Sequence, residues 1–461
     1  MEVRMQRRTP WRSKPPLVLD ASGSAAHLVS RRYAWFVLLM LIALAATDYI
    51  DRQIIVSTFP YLKKEWGLSD AELGALVSVV SVAMAVFTLP AARLADRWGR
   101  VKSIAAMGTA WSLAALGCAV AGNYAQLFVA RGLLGVGEAG YGPAGGALVS
   151  SYFPQRLRAT VLSLVMAAGP LGTVLGVVLG GVMAERWGWR VTLGAFGLPG
   201  LLLALLFLMI RDYRMPTAAD RSEAAPAASP AAAVPGLRAT LGELFRSRTA
   251  VWCYLGGALN LIVLSALYSW LPSYLGRAYG LSSAESGAKA ALVILAGVVG
   301  AVAFGHLADR CGRTRPRRRL MVPAVAAVAT CGLLTAGFGA LPPGAAQFAL
   351  VLAAGLPLAA AIGTTPGAVV DVVRPSVRAT ALGMVVLVQN LLGLAVGPVL
   401  TGLLSDAFGL QTALAVIPLF CLAAAAAFWL GSRTYENDLA AVSGGDPAAT
   451  PETSDEMELN R

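Results

Sequence analysis

Charged side chains set inside long apolar runs are where this chain has the means to do chemistry. Asp48, Asp51 and Arg52 fall at i, i+3 and i+4 of one such run, so a helix there puts all three on one face. Arg131 and Glu138 stand two helical turns apart in another run, with Gly135 between them to admit a neighbouring helix. A charge at mid-bilayer depth costs about 2.5 kcal/mol or more, and persists there only if it is paired, hydrated or used. Desolvation favours a protonated carboxyl and a nearby Arg favours the ionised one, so Asp51 or Glu138 could bind a proton in one conformation and release it in another. The plainer alternative is a pair of static ion pairs, Asp51 with Arg52 and Arg131 with Glu138, that only offset one another's desolvation.

Other chemistries lack their residues. The five Cys (Cys118, Cys253, Cys311, Cys331, Cys421) are scattered singly and the two His are His27 and His306, so neither a disulfide framework nor a metal site has ligands at workable spacing. A Ser/His catalytic pair is equally hard to assemble. No phosphate-binding loop is visible, which argues against ATP drive. The expectation is therefore a protein that is not an enzyme and holds no metal or cofactor.

The elements that position these charges are membrane helices. The chain is 57% hydrophobic and 13% charged, with a mean hydropathy of +0.66, outside the range of soluble domains. Apolar runs read as twelve spans, the first over 34–58 and the last over 411–431. They form two sets of six. Gly67 to Arg100 and Gly280 to Arg313 align without a gap, with roughly half of the residues identical, so the chain is two copies of one membrane unit. The second copy lacks the buried charges: span seven is uncharged around Val263 and Leu264, and in span ten Ala354 and Ala361 stand opposite Arg131 and Glu138. A fold that required the charges would have kept them in both halves, so they belong to a coupling site on the amino-terminal half, facing a central cavity.

Basic residues set the orientation. With both ends in the cytoplasm, about 29 of the 37 Lys and Arg lie in cytoplasmic segments and about 5 in external loops. The basic run of Arg315, Arg317, Arg318 and Arg319 sits between spans eight and nine, so topology accounts for it and no nucleic-acid partner is expected. The expected divisions are a basic cytoplasmic tail (1–33), an amino-terminal six-helix lobe (34–210), an Ala/Pro-rich cytoplasmic linker (211–249), a carboxy-terminal six-helix lobe (250–431) and a flexible acidic cytoplasmic tail (432–461).

Each copy of the repeat ends in L-A-D-R-x-G-R. Twelve spans in two halves, with A-R-L-A-D-R-W-G-R-V-K after span two and G-H-L-A-D-R-C-G-R after span eight, resemble the major facilitator superfamily over essentially the whole chain. The loop motif usually opens with Gly, present as Gly305 but replaced by Ala92 in the first copy. D-Y-I-D-R (Asp48 to Arg52), L-F-V-A-R-G-L-L-G-V-G-E-A-G (Leu127 to Gly140) and Y-F-P-Q-R-L-R-A-T (Tyr152 to Thr160), echoed as R-P-S-V-R-A-T (Arg374 to Thr380), are similar to the Spinster branch. That resemblance implies a proton-coupled transporter in which Asp51 and Arg52 are the span-one acid and base, and Glu138 and Arg131 the span-four pair that handles proton and substrate. Asp48 departs from the branch, where Asn is usual, and leaves open which span-one acid titrates.

The resemblance also implies gates. Asp96, Arg97, Gly99 and Arg100 in the first copy, and Gly305, Asp309, Arg310, Gly312 and Arg313 in the second, would hold the outward-open state through helix-end and interlobe contacts. Lys289 replaces Leu76 of the first repeat and either contacts an anionic head group or snorkels to the outer interface. Tyr141, Tyr268 and Trp270 read as anchors or packing more readily than as ligand contacts. In span five, the glycine-rich Gly169 to Gly181 resembles a motif associated with export, and close helix packing explains it as well. The functional expectation is a monomeric, proton-coupled secondary transporter in a bacterial inner membrane, moving a small amphipathic or anionic organic solute, lysolipid-like, drug-like or an organic acid. The alternatives are an organic-anion uptake symporter of a neighbouring branch and a receptor of the same fold that binds without transporting.

Overall fold

The computed structural model describes residues 17–18, 30–210, 213–214 and 242–443; the side chains of Asp96 and Tyr141 are not among those described, nor are most residues of the expected tails and linker. By length and hydropathy, ten stretches of the described residues can cross a bilayer. One of them, Arg156–Phe207, is two helices joined at Gly188, and a further span is interrupted just after Glu138, which brings the number to twelve. They are α1 (Arg31–Trp66), α2 (Asp70–Trp98), α3 (Arg100–Ala119), α4 (Tyr124–Glu138, continuing as Tyr141–Tyr152), α5 (155–187), α6 (189–207), α7 (Arg248–Tyr279), α8 (Ser283–Thr314), α9 (Arg318–Ala340), α10 (Ala345–Asp371), α11 (Arg378–Phe408) and α12 (Leu410–Val442). The one strand pairing among the described residues joins Leu17–Val18 to Tyr213–Arg214, two residues a side.

The repeat is visible in the backbone. Gly67 ends α1 at φ +66 and Gly280 ends α7 at φ +65, while Gly188 and Gly409 turn α5 into α6 and α11 into α12 at φ +79 and +84. Only glycine takes such angles without strain. The loop motifs break this symmetry: Gly99 has φ +89 and separates α2 from α3, whereas Gly312 stays helical and α8 runs to Thr314.

The two six-helix lobes meet at one end of the bundle, the end of the Gly67 and Gly280 turns. Gly74 and Gly402 bring α2 and α11 into backbone contact, and Gly181 and Gly287 do the same for α5 and α8; a Cβ at any of the four would collide with the facing main chain. One apolar core spans both lobes at this end, from Ile54 and Phe59 to Trp270 and Leu271. Toward the other end each lobe has a core of its own, one around Leu41, Trp111 and Tyr152 and one around Tyr254, Val369 and Phe428. The bundle is therefore joined at the turn end and split toward the end that bears the loop motifs.

The last helix continues past residue 431 to Ser443, so part of the segment expected as tail is helical. Its partners explain why. The Tyr435 hydroxyl donates to Asp371 at 2.6 Å, and Asp438 accepts from the Ser247 hydroxyl and the Thr249 amide, each at 2.8 Å, capping the first turn of α7.

Candidate functional site

Glycines seat the charged helices. Gly135 lies against the Val80 carbonyl of α2 and Gly137 against the Trp111 backbone of α3, so α4 is drawn into the amino-terminal lobe with Arg131 and Glu138 buried on the same side. On α5, Gly172, Gly176 and Gly180 face Ala46, Ile50 and Ile54, which presses α1 along the full length of the glycine-rich stretch. That stretch is packing for α1. Close approach on both flanks leaves Asp48 and Asp51 almost wholly enclosed.

The pairing inside the site crosses helices. Arg52 Nη2 stands 2.8 Å from Glu138 Oε2 on α4 and 3.5 Å from Asp48 Oδ2 one turn back on α1. Arg131 does not close on Glu138; its Nε–H donates to the Leu76 carbonyl of α2 at 3.2 Å, and its charge acts on Asp51. The plainer alternative of static pairs within span one and within span four gives way to one α1–α4 bridge, with Arg131 as a second cation behind it. For the span-four pair the reason is geometric, since residues i and i+7 of one helix lie about 10 Å apart along its axis, beyond direct contact for most side chains. The cluster holds three carboxylates (Asp48, Asp51, Glu138) and two guanidiniums (Arg52, Arg131), and only Arg52, with 21% of its side chain exposed, reaches open space. A single proton on the acids makes the buried set neutral.

The profile of the Major Facilitator Superfamily matches residues 41–393, well over half of the chain. The chain belongs to the major facilitator superfamily. Among its relatives is an MFS-type efflux pump of Mycolicibacterium smegmatis, 28% identical over 93% of this chain and 99% of the relative. A gallate transporter of Pseudomonas putida is 30% identical over 71% of this chain and 76% of the relative. A solved bacterial homologue of the human lysosomal transporter Spinster, inward-facing and occupied, superposes with a TM-score of 0.77 at 23% identity, over 89% of this chain and 99% of that one. This superfamily member therefore resembles Spinster in fold, and it is an integral membrane transporter, not an enzyme.

The remaining sequence expectations fall at three places. Lys289 on α8 lies 5.8 Å from the Tyr279 ring and 5.7 Å from the Phe348 ring, inside its own lobe near the joined end and away from the Asp48–Glu138 cluster. Trp270 is fully buried, donates to the Pro398 carbonyl at 3.0 Å and stacks near Phe59 at 5.2 Å, while the Tyr268 carbonyl accepts from Gln53 Nε2 at 3.1 Å; both are seam residues. At the split end, Arg319 pairs with Asp309 at 3.0 Å and with Asp371, binding α9 to α8 and α10 of the same lobe, while Arg310 and Arg313 are exposed. Arg97 is exposed beside Gly99 and Arg100, and the Asp96 carboxylate lies outside the described side chains.

Sequence reasoning missed the lock at the joined end. Asp70, first residue of α2, accepts from Arg277 of α7 through both guanidinium nitrogens (2.6 and 2.8 Å), from Lys63 at 2.6 Å and from Ser405 of α11 at 2.5 Å. Asp406 of α11 caps α2 from the other lobe, accepting from the Asp70 and Ala71 amides at 2.8 Å each. The counterpart contact is weaker: Glu185 of α5 accepts from the Ala284 amide of α8 at 3.2 Å, and Ser283, the repeat partner of Asp70, meets the Tyr61 hydroxyl at 3.1 Å. A signal was present. Asp70 faces Ser283 in the repeat alignment, and acids stand three residues before both Gly188 and Gly409.

Proposed function

We propose that the chain is a proton-coupled secondary active transporter of a small organic anion, working by alternating access between its two lobes. The observation that carries this reading is the excess acid at Arg52: three carboxylates enclosed with two guanidiniums, on one lobe only, where α1 borders the split. Protonating one acid loosens the claim of Glu138 and Asp48 on Arg52 and frees that cation for an anionic solute; losing the proton restores the pairs and expels it. Binding of proton and anion is then coupled through one guanidinium. The joined end closes one side of the membrane while the split end admits solute from the other, and reversing the two is the transport step.

Positive-inside bias supports placing the split end and both termini in the cytoplasm, in a bacterial inner membrane, with one chain as the working unit. The divisions at 34–210 and 250–431 are the two moving bodies, with 211–249 as the linker between them. The loop motifs at Asp96 and Asp309 serve the state in which the split end is shut. Asp309 is held by Arg319 in the present state, so it would have to exchange that partner. The organic-acid symporter reading gains weight from the gallate transporter of Pseudomonas putida, and an aromatic or hydroxylated acid heads the substrate panel.

The test is solute accumulation in proteoliposomes under an imposed pH gradient, across a panel of aromatic acids, sugar acids and lysolipids. Accumulation of a panel member that collapses with a protonophore is the expected result. Uptake that ignores the gradient for every solute would overturn proton coupling.

A further inference from the structure

Resting on the organic-anion reading, we infer that Tyr49 selects the solute: its ring, beside the Arg52 guanidinium, makes a site for a planar aromatic carboxylate. Tyr49 is 37% exposed although it lies deep along α1 among the enclosed acids, whereas every residue from Ile54 to Phe59 is buried. It is the last broadly open side chain of α1 before the joined end. A lipid-facing stripe would continue past that point; this one stops where the lobes close, so the ring borders the split between them.

The ring is held, not merely placed. A Cβ at Gly169 would stand 3.0 Å from the Tyr49 Cζ, and one at Gly172 would stand 2.7 Å from its Cβ, so the ring lies in a trough that two glycines of α5 leave open. Arg52 Cζ lies 5.3 Å from the ring centroid, within cation–π range, which fixes the guanidinium next to the ring and 2.8 Å from Glu138. A carboxylate that displaces Glu138 from Arg52 therefore carries its own substituent against the ring of Tyr49. A flat π-system stacks there, offset or edge-on, while a saturated ring of the same size gains contact area without the quadrupole match. The site thus joins one cation to one aromatic platform, the two features an aryl carboxylate presents in mirror image. No charged group of the second lobe is needed, in keeping with the uncharged stretch around Val263 and Leu264.

The experiment is equilibrium binding to the purified transporter without any gradient, by calorimetry, with benzoate and cyclohexanecarboxylate as a matched planar and saturated pair. The wild type should prefer benzoate by about tenfold. Tyr49→Phe should keep that preference, and Tyr49→Leu should reduce it to near unity by weakening benzoate more than cyclohexanecarboxylate. Tyr49→Met serves the same purpose should the Leu variant melt early. Equal affinities in the wild type, no benzoate binding, or a preference that survives loss of the ring would overturn the inference. Gradient-driven accumulation of a non-aromatic anion alongside any of these results would leave the transport reading standing and remove this one alone.

Discussion

Arg52 is the residue on which the mechanism turns, because it pairs with both Glu138 and Asp48 and so bridges α1 to α4. Arg52→Ala leaves two enclosed carboxylates facing each other, and breaking a buried pair in this way costs about 3–5 kcal/mol. The expected result is a marked drop in melting temperature in detergent, partly restored in the double variant Arg52→Met with Glu138→Gln, which removes the orphaned charge. A double variant no more stable than Arg52→Ala would mean that the orphaned charge is not what destabilises the single variant. The five charged positions were legible in the sequence because a charge in an apolar run is conspicuous. Their pairing was not, since i+3 and i+7 spacings say which residues share a face but not which helix that face meets. Tyr49 went unread for a related reason: an aromatic in a membrane helix carries no signal until its exposure is known.

At the scale of helices, the joined end depends on α2 being capped from the opposite lobe. Asp406 supplies the two acceptors that the first turn of α2 lacks, and Arg277 reaches Asp70 across the same seam. In the matching α5–α8 contact Glu185 accepts a single longer bond, from the Ala284 amide, and among the described residues no cation joins it. Neutralising the charged side should therefore release the lock. Spin labels at Lys64 and Pro343, both exposed at that end, should report a new long-distance population when Asp70→Asn is combined with Asp406→Asn. An unchanged distance distribution would show that glycine packing at Gly74 and Gly402 alone holds the lobes together. The apolar runs located the twelve helices well, because each had to be long and uncharged enough to span. They failed at the ends. Helix α12 continues to Ser443 on the strength of Tyr435 and Asp438 partners contributed by residues far away in the chain, and no local pattern encodes such partners.

For the whole molecule, the repeat of Gly67 to Arg100 in Gly280 to Arg313 predicted two lobes, and the matched turns at Gly67 and Gly280 and at Gly188 and Gly409 carry that repeat into the backbone. The state of the bundle lay beyond the sequence: which end is shut depends on lobe-to-lobe contacts that one chain must be able to both make and break. Orientation rests on basic-residue bias, and reporter fusions at Pro226 and Asp446 should both signal cytoplasm; an external signal at either position would contradict the twelve-span topology. The central claim, that the acids around Arg52 carry the proton, is met most directly by flux against an imposed pH gradient in proteoliposomes for the wild type, Glu138→Gln and Asp51→Asn. Glu138→Gln should abolish gradient-driven accumulation while solute exchange without a gradient persists, and Asp51→Asn should do the same if the two acids share the proton. Gradient dependence equal to wild type in both variants would contradict the account and send the proton elsewhere, with Asp48 next in line.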